Sequence, residues 1–170
     1  PISGLTYTWF ETTQTGLFNN RQAGTYDVHV SVIGPVTIDS NHVSVTVDPA
    51  ATTQVIINPD THQTITAGTD IAFTAEARDQ YGNPTGDPIT WTGTDPANPG
   101  VFNNRVAGDH IVYATANAID STHVTVTVNP AALDHITMTP DYLPTGATTI
   151  TAGTDIQFAA SGYDQYGNPI

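Results

Sequence analysis

The hexapeptide Asp-Gln-Tyr-Gly-Asn-Pro stands at Asp79–Pro84 and again at Asp164–Pro169. A short motif returning inside a longer series of matching segments is the signature of a tandem array, and it constrains this chain more than any other feature. Thr66-Ala67-Gly68-Thr69-Asp70 returns as Thr151–Asp155, and the apolar spacing Ile71, Phe73, Ala75 returns as Ile156, Phe158, Ala160. Behind the first hexapeptide, Ile89 and Trp91 match Tyr7 and Trp9. Phe102-Asn103-Asn104-Arg105 matches Phe18–Arg21 letter for letter, and His123–Ala131 follows His42–Ala50.

Laid out by these matches, residues 51–131 hold one complete domain. Residues 1–50 read as the C-terminal half of a domain and residues 132–170 as the N-terminal half of another, so the chain begins and ends mid-domain. Pro1-Ile2 and Pro169-Ile170 are the same dipeptide, placed where the pattern rejoins its own start. With no start methionine and no signal peptide, the expectation is one period of a longer continuous array. The alternative is a subunit with real ends, each half completed across a boundary by another copy. In both cases a 132–170 segment pairs with a 1–50 segment. The apolar residues expected at that assembly interface are Trp9, Tyr26, Val43, Val45, Val47, Ile156 and Phe158.

The elements legible in this frame are strands. Tyr26, Val28, Val30 and Val32 alternate with Asp27, His29 and Ser31, which assigns the second set to an outer face. Val43, Val45 and Val47 alternate with Ser44 and Thr46. Ile71, Phe73, Ala75 and Ala77 share a face, and Val55-Ile56-Ile57 is a candidate strand ending at Asn58-Pro59. Gly34-Pro35, Asp39-Ser40-Asn41 and the hexapeptide itself are turn chemistry. Threonine dominates the polar positions, as suits an exposed strand face without added charge.

Composition sets the chemical bounds. Arg21, Arg78 and Arg105 are the only basic residues apart from histidine, and the net charge is −13. Such a surface repels nucleic acid and anionic membranes. No apolar run is long enough to span a bilayer. The lack of cysteine excludes a disulfide scaffold and thiolate zinc sites, and the lack of lysine excludes a Lys–Asn isopeptide cross-link.

About seven short alternating strands with frequent turn signals point to an all-β immunoglobulin-like sandwich. The Thr-Ala-Gly-Thr-Asp lead-in, the Asp-Gln-Tyr-Gly-Asn-Pro turn, the Trp91 strand and the closing Val-Thr-Val-Asn-Pro-Ala resemble the bacterial immunoglobulin-like repeats of invasin-type adhesins and large prokaryotic surface proteins. The resemblance implies tandem sandwiches serving as rigid spacers in an extracellular stalk, sheath or filament on the cell surface. It implies copies of itself as end-to-end partners and supplies no catalytic residues to carry over. Tyr26 occupies a corner-tyrosine position, where the second repeat has His110.

Each chemically suggestive constellation has a plainer explanation. The hexapeptide offers hard oxygen ligands for calcium, yet it has one carboxylate per copy and reads as a tight turn, with Gly82 at positive φ and Tyr81 packed over it. Asp39-Ser40-x-His42 and Asp120-Ser121-x-His123 contain triad residue types, but two copies at matching turns point to turn formation, and the chain is expected to be no enzyme. The histidines His29, His42, His62, His110, His123 and His135 are spread without a metal-ligand spacing, so no metal or cofactor is expected. Calcium between domains at Asp48, Asp60 or Asp134 is the exception considered. An adhesive or carbohydrate-binding module, for an unknown host or cell-surface ligand, is the competing function. It would need an exposed aromatic platform, and Phe10, Tyr113 and Tyr142 are the candidates. No Asn-x-Ser/Thr sequon is present, which leaves outer-face threonines as the sites for O-linked sugars.

Overall fold

The computed structural model describes residues 6–12, 16–139 and 149–170. These form strands, turns and irregular segments, with no helix among the described residues. In chain order the strands are β1 (Tyr7–Phe10), β2 (Gly24–Val32), β3 (Ile38–Asp39), β4 (Val43–Val47), β5 (Thr52–Asn58), β6 (Gln63–Thr66), β7 (Ile71–Ala72), β8 (Thr74–Asp79), β9 (Thr90–Thr92), β10 (Val101–Phe102), β11 (Gly108–Ala116), β12 (Ile119–Asp120), β13 (Val124–Asn129), β14 (Leu133–Thr139) and β15 (Ala159–Asp164). Two compact units divide them. The first gathers the residues up to Val55 with Glu76–Pro88 and Ala116–Ile119. The second gathers Ile56–Ala75, Ile89–Thr115 and the residues from Asp120 onward.

In the first unit, β2 is the spine of a sheet. It pairs antiparallel with β1, β3 and β4, with Trp9 opposite Val30 and Tyr26 opposite Val45. The expected alternation holds at Asp27, which is exposed between half-buried Tyr26 and Val28. Ser31 departs from it. Assigned to the outer face by sequence, it is buried, because there β2 is flanked on both sides, by Thr8 of β1 and Asp39 of β3. Its hydroxyl is satisfied by Asp39 Oδ1 at 2.5 Å.

The second unit contains a five-stranded sheet in which β11 pairs antiparallel with β13 and with β9, while β13 pairs in parallel with β6. Strict alternation puts Val124, Val126 and Val128 inside. They pack with Ile57, Ala67, Phe73, Phe102 and Val112, and Ile65, Ile71, Trp91 and Ala131 close over this core. Burying side chains of this size contributes about 1.5–3 kcal/mol each. β7 pairs with β10, and Phe73 N–H, between β7 and β8, donates to Gly100 O. β5 pairs with β8, and each has one portion in either unit.

The third copy of the pattern separates local from long-range causes. Its lead-in turn matches the second copy: Thr69 N–H and Oγ1 donate to Thr66 O, and Thr154 N–H and Oγ1 donate to Thr151 O. Turns of this kind need only their own residues. Ile71-Ala72 forms strand β7, but Ile156-Gln157 lies outside any strand. Ile65 lies in β6 beside β13, but Ile150 is exposed and outside any strand. Within these 170 residues the third copy has no counterpart of β10 or β13 to pair with. β14 and β15 do pair, from Leu133↔Asp164 to Thr139↔Ala159. Ile136 and Met138 are more than half exposed, whereas Val55 and Ile57 are buried.

Candidate functional site

The repeated hexapeptide builds the same polar device twice, each time inside one compact unit. Asp79 ends β8 and starts a tight turn. Its Oδ1 accepts from the N–H groups of Tyr81 (2.8 Å) and Asn83 (2.9 Å), while Gly82 N–H donates to its carbonyl. Gly82 takes φ +84°, where a Cβ would be strained, so glycine at this position is a steric requirement. Oδ2 faces the other way. It accepts from Asn83 Nδ2 (2.8 Å) and from Ala50 N–H (2.9 Å), in the Asp48-Pro49-Ala50 connection at the end of the preceding repeat.

Asn83 completes the contact with that preceding repeat. Nδ2 donates to Arg21 O (2.7 Å) and Oδ1 accepts from Ala23 N–H (2.9 Å), so the amide brackets the turn after Phe18-Asn19-Asn20-Arg21. Asn20 shapes that turn, its Oδ1 accepting from Gln22 N–H. The second copy repeats every bond. Asp164 accepts from Tyr166, Asn168 and Ala131 N–H and from Asn168 Nδ2. Asn168 donates to Arg105 O and accepts from Ala107 N–H. Asn104 Oδ1 accepts from Val106 N–H, as Asn20 does from Gln22. The two Asp–Asn pairs are buried, and their polar atoms are matched to the backbone of the preceding repeat.

Electrostatics follow from this wiring. Burial alone would raise the Asp79 carboxyl, but hydrogen bonds from the Asn83 side chain and from Ala50, Asn83 and Tyr81 N–H outweigh it and hold the pKa about 2, below its ordinary 3.8. Asp164 is lowered to about 2 in the same way by Asn168, Ala131 and Tyr166. Both oxygens of each carboxylate accept two N–H donors, so the lone pairs that a calcium ion would need are engaged. The motif is a turn, as expected, and also a clasp, which sequence reasoning missed. The available signal was the coincidence that the hexapeptide, the Asn-Asn-Arg segment and the Pro-Ala connection all repeat together.

Tyrosine and arginine extend the clasp over the Thr-Ala-Gly-Thr-Asp turn. A Cβ on Gly68 would stand 2.6 Å from Tyr166 Oη, so the ring lies directly on that glycine. Arg105 donates to Thr69 O (3.0 Å) and pairs with Asp70 (2.7 Å). Tyr81 is half exposed, with the Arg21 guanidinium 5.5 Å from its ring centre. Gly153, the third-copy equivalent of Gly68, has nothing within 4 Å of a Cβ position.

The other sequence candidates resolve into structural roles. Tyr26 Oη donates to Gln22 O (2.7 Å), and His110 Nε2 bonds Val106 O at the equivalent place (2.8 Å), so imidazole replaces phenol at the corner. Ser40 Oγ accepts from Val30 N–H and donates to Asn41 O; Ser121 Oγ accepts from Ala114 N–H and donates to Thr122 O. Those hydroxyls pin hairpins. Phe10 stacks on His29 and Tyr113 on His123, while Tyr142 lies outside the described residues. Asp48, Asp60 and Asp134 are exposed. Of the expected interface residues, Trp9, Val43 and Phe158 are exposed, and Tyr26, Val45, Val47 and Ile156 are half-buried. They are distributed over both units.

No protein-family model matches the chain, and no curated protein does. Among solved structures it is similar to domains 4–9 of the surface layer protein SbsC, with 20% identity over 87% of this chain and 25% of that one, TM-score 0.40. Domains 1–6 of the same protein align with 17% identity over 99% of this chain and 24% of that one, TM-score 0.42. The S-layer protein rSbsC(31-844) aligns with 17% identity over 99% and 24%, TM-score 0.40. The chain therefore spans about a quarter of the length of the structures it matches. No helix among the described residues is long and apolar enough to cross a membrane.

Proposed function

We propose that the chain is a structural segment of an extracellular prokaryotic surface stalk, sheath or filament, built from tandem immunoglobulin-like sandwiches. In this reading residues 51–131 are one complete sandwich. Residues 132–170 are completed by a segment of the 1–50 type, from the next repeat or from another copy. The observation that carries the proposal is the twofold recurrence of the clasp. The same buried Asp–Asn pair grips the same backbone atoms of the preceding repeat at both junctions. A device that fixes one repeat to the next, present at every junction of the chain, serves extension. The acidic surface favours solubility and keeps neighbouring arrays apart.

Sedimentation of the purified chain over a concentration series tests this. The expected result is end-to-end association that grows with concentration, as the exposed faces of the 1–50 and 132–170 segments find each other. A species that stays monomeric throughout the series would overturn the assembly reading.

A further inference from the structure

On the exposed side of the first unit's sheet, three potential ligands meet. Asp27 and His29 are two residues apart on β2 and so share a face. His42 precedes β4, whose Val43 lies opposite Val28. The antiparallel register thereby brings His42 beside the β2 pair. One ligand atom from each of the three residues lies within 4.8 Å of the others. Asp27 Oδ2 and His42 Nδ1 are 2.6 Å apart. His29 Nδ1 is buried and has no hydrogen-bond partner among the described residues. An unsatisfied imidazole nitrogen next to a carboxylate and a second imidazole is a donor set lacking its acceptor.

The second repeat shows that the fold does not need these ligands. There the positions of Asp27, His29 and His42 are held by Ile111, Tyr113 and His123. Tyr113 stacks on His123 with centroids 4.2 Å apart, and His29 stacks on His42 at 4.3 Å. The ring stack is therefore available without a second imidazole and without a carboxylate at the Asp27 position. What the first segment adds is ligand chemistry.

We propose that Asp27, His29 and His42 form a binding site for a divalent transition cation of the zinc class. Two imidazoles and one carboxylate suit zinc, nickel or copper better than calcium or magnesium, which prefer all-oxygen shells. Ligand atoms on a tetrahedral zinc ion stand about 3.3 Å apart, given bond lengths of about 2.0–2.1 Å. The Asp27–His42 spacing is 2.6 Å and all three ligand atoms lie within 4.8 Å of one another, so rotations of the exposed Asp27 and His42 side chains toward the half-buried His29 close the site. The ion takes the place of the direct Asp27–His42 hydrogen bond, and water fills the fourth position. Bridging β2 to the start of β4, it cross-links the sheet on its solvent face. This explains why scattered histidine spacing concealed the site: two ligands come from strand alternation, and the third only from register.

Calorimetric titration of the 170-residue protein with zinc chloride, followed by imidazole NMR, tests the site. One ion per chain is expected, with the ring resonances of His29 and His42 shifting together and those of His62 and His135 unmoved. Asp27→Asn, His29→Tyr and His42→Gln should each weaken binding by more than about 100-fold, beyond the range typical of outer-shell changes. His29→Tyr installs the residue the second repeat uses, so it keeps the stack while removing the ligand. Calcium chloride should give no saturable binding at this site. Absence of saturable zinc binding, binding that survives both histidine changes, or displacement of zinc by calcium would overturn the proposal.

Discussion

Asn83 and Asn168 each spend one amide on two tasks, closing their own turn onto an aspartate and gripping the carbonyl and N–H of the preceding repeat. Replacing Asn83 by alanine removes both grips and leaves Arg21 O, Ala23 N–H and part of Asp79 without partners. The expected cost is about 1–3 kcal/mol, the penalty for a buried polar group left unsatisfied, read as a lower midpoint in denaturant melts. Asp79→Asn is isosteric but turns an NH2 toward N–H donors, and it should melt lower than the parent. The carboxylates also set an acid limit. Their folded pKa is about 2 and their ordinary value 3.8, so the unfolded chain takes up protons first as pH falls. Stability from the clasp is complete above about pH 4 and is lost as pH drops toward 2. Thermal melts across that window should show the decline, and the double variant Asp79→Asn, Asp164→Asn should show a shallower one.

At the scale of elements, the structure separates what neighbouring residues decide from what distant ones decide. The Thr66–Asp70 and Thr151–Asp155 turns make the same hydrogen bonds, and alternation located the buried faces of β8 and β13. Those features were legible because their causes lie within a few residues. Ser31 was misassigned because its burial depends on β1 and β3 closing on both sides of β2. The clasp was invisible as a clasp for a related reason. Asn83 and Arg21 are 62 positions apart, and nothing in either segment names the other. Gly68 and Gly153 turn this distinction into an experiment. Both hold positive φ, +101° and +89°, so alanine strains either one. Only at Gly68 does the added methyl also meet Tyr166. Gly68→Ala should therefore lower the melting temperature of the isolated chain more than Gly153→Ala. Once chains associate, the gap should narrow, as a tyrosine equivalent to Tyr166 arrives over Gly153.

The whole molecule carries the same residue types in contrasting surroundings. Phe73 is 4% exposed and its equivalent Phe158 is 39% exposed; Val124 is 1% exposed and Val43 is 51% exposed. The sequence specifies a core at these positions each time, and in the proposed reading only the middle repeat has both of its halves within these 170 residues to form it. Faces of this kind are complementary rather than self-matching, since the front of a repeat lacks what its back supplies. A contact between unlike faces propagates head to tail without closing, whereas like faces would stop at a pair. The proposed assembly is thus polar, and polarity can be tested by blocking one face at a time. Phe158→Asp places a charge on the front face, and Trp9→Asp with Val43→Asp places charges on the back. Each variant alone should sediment as a monomer, while the middle repeat melts as in the parent. Mixed together, the two should form a heterodimer and stop there, because each contributes one intact face. Longer chains from the mixture, or dimers of either variant alone, would show that the faces do not pair front to back.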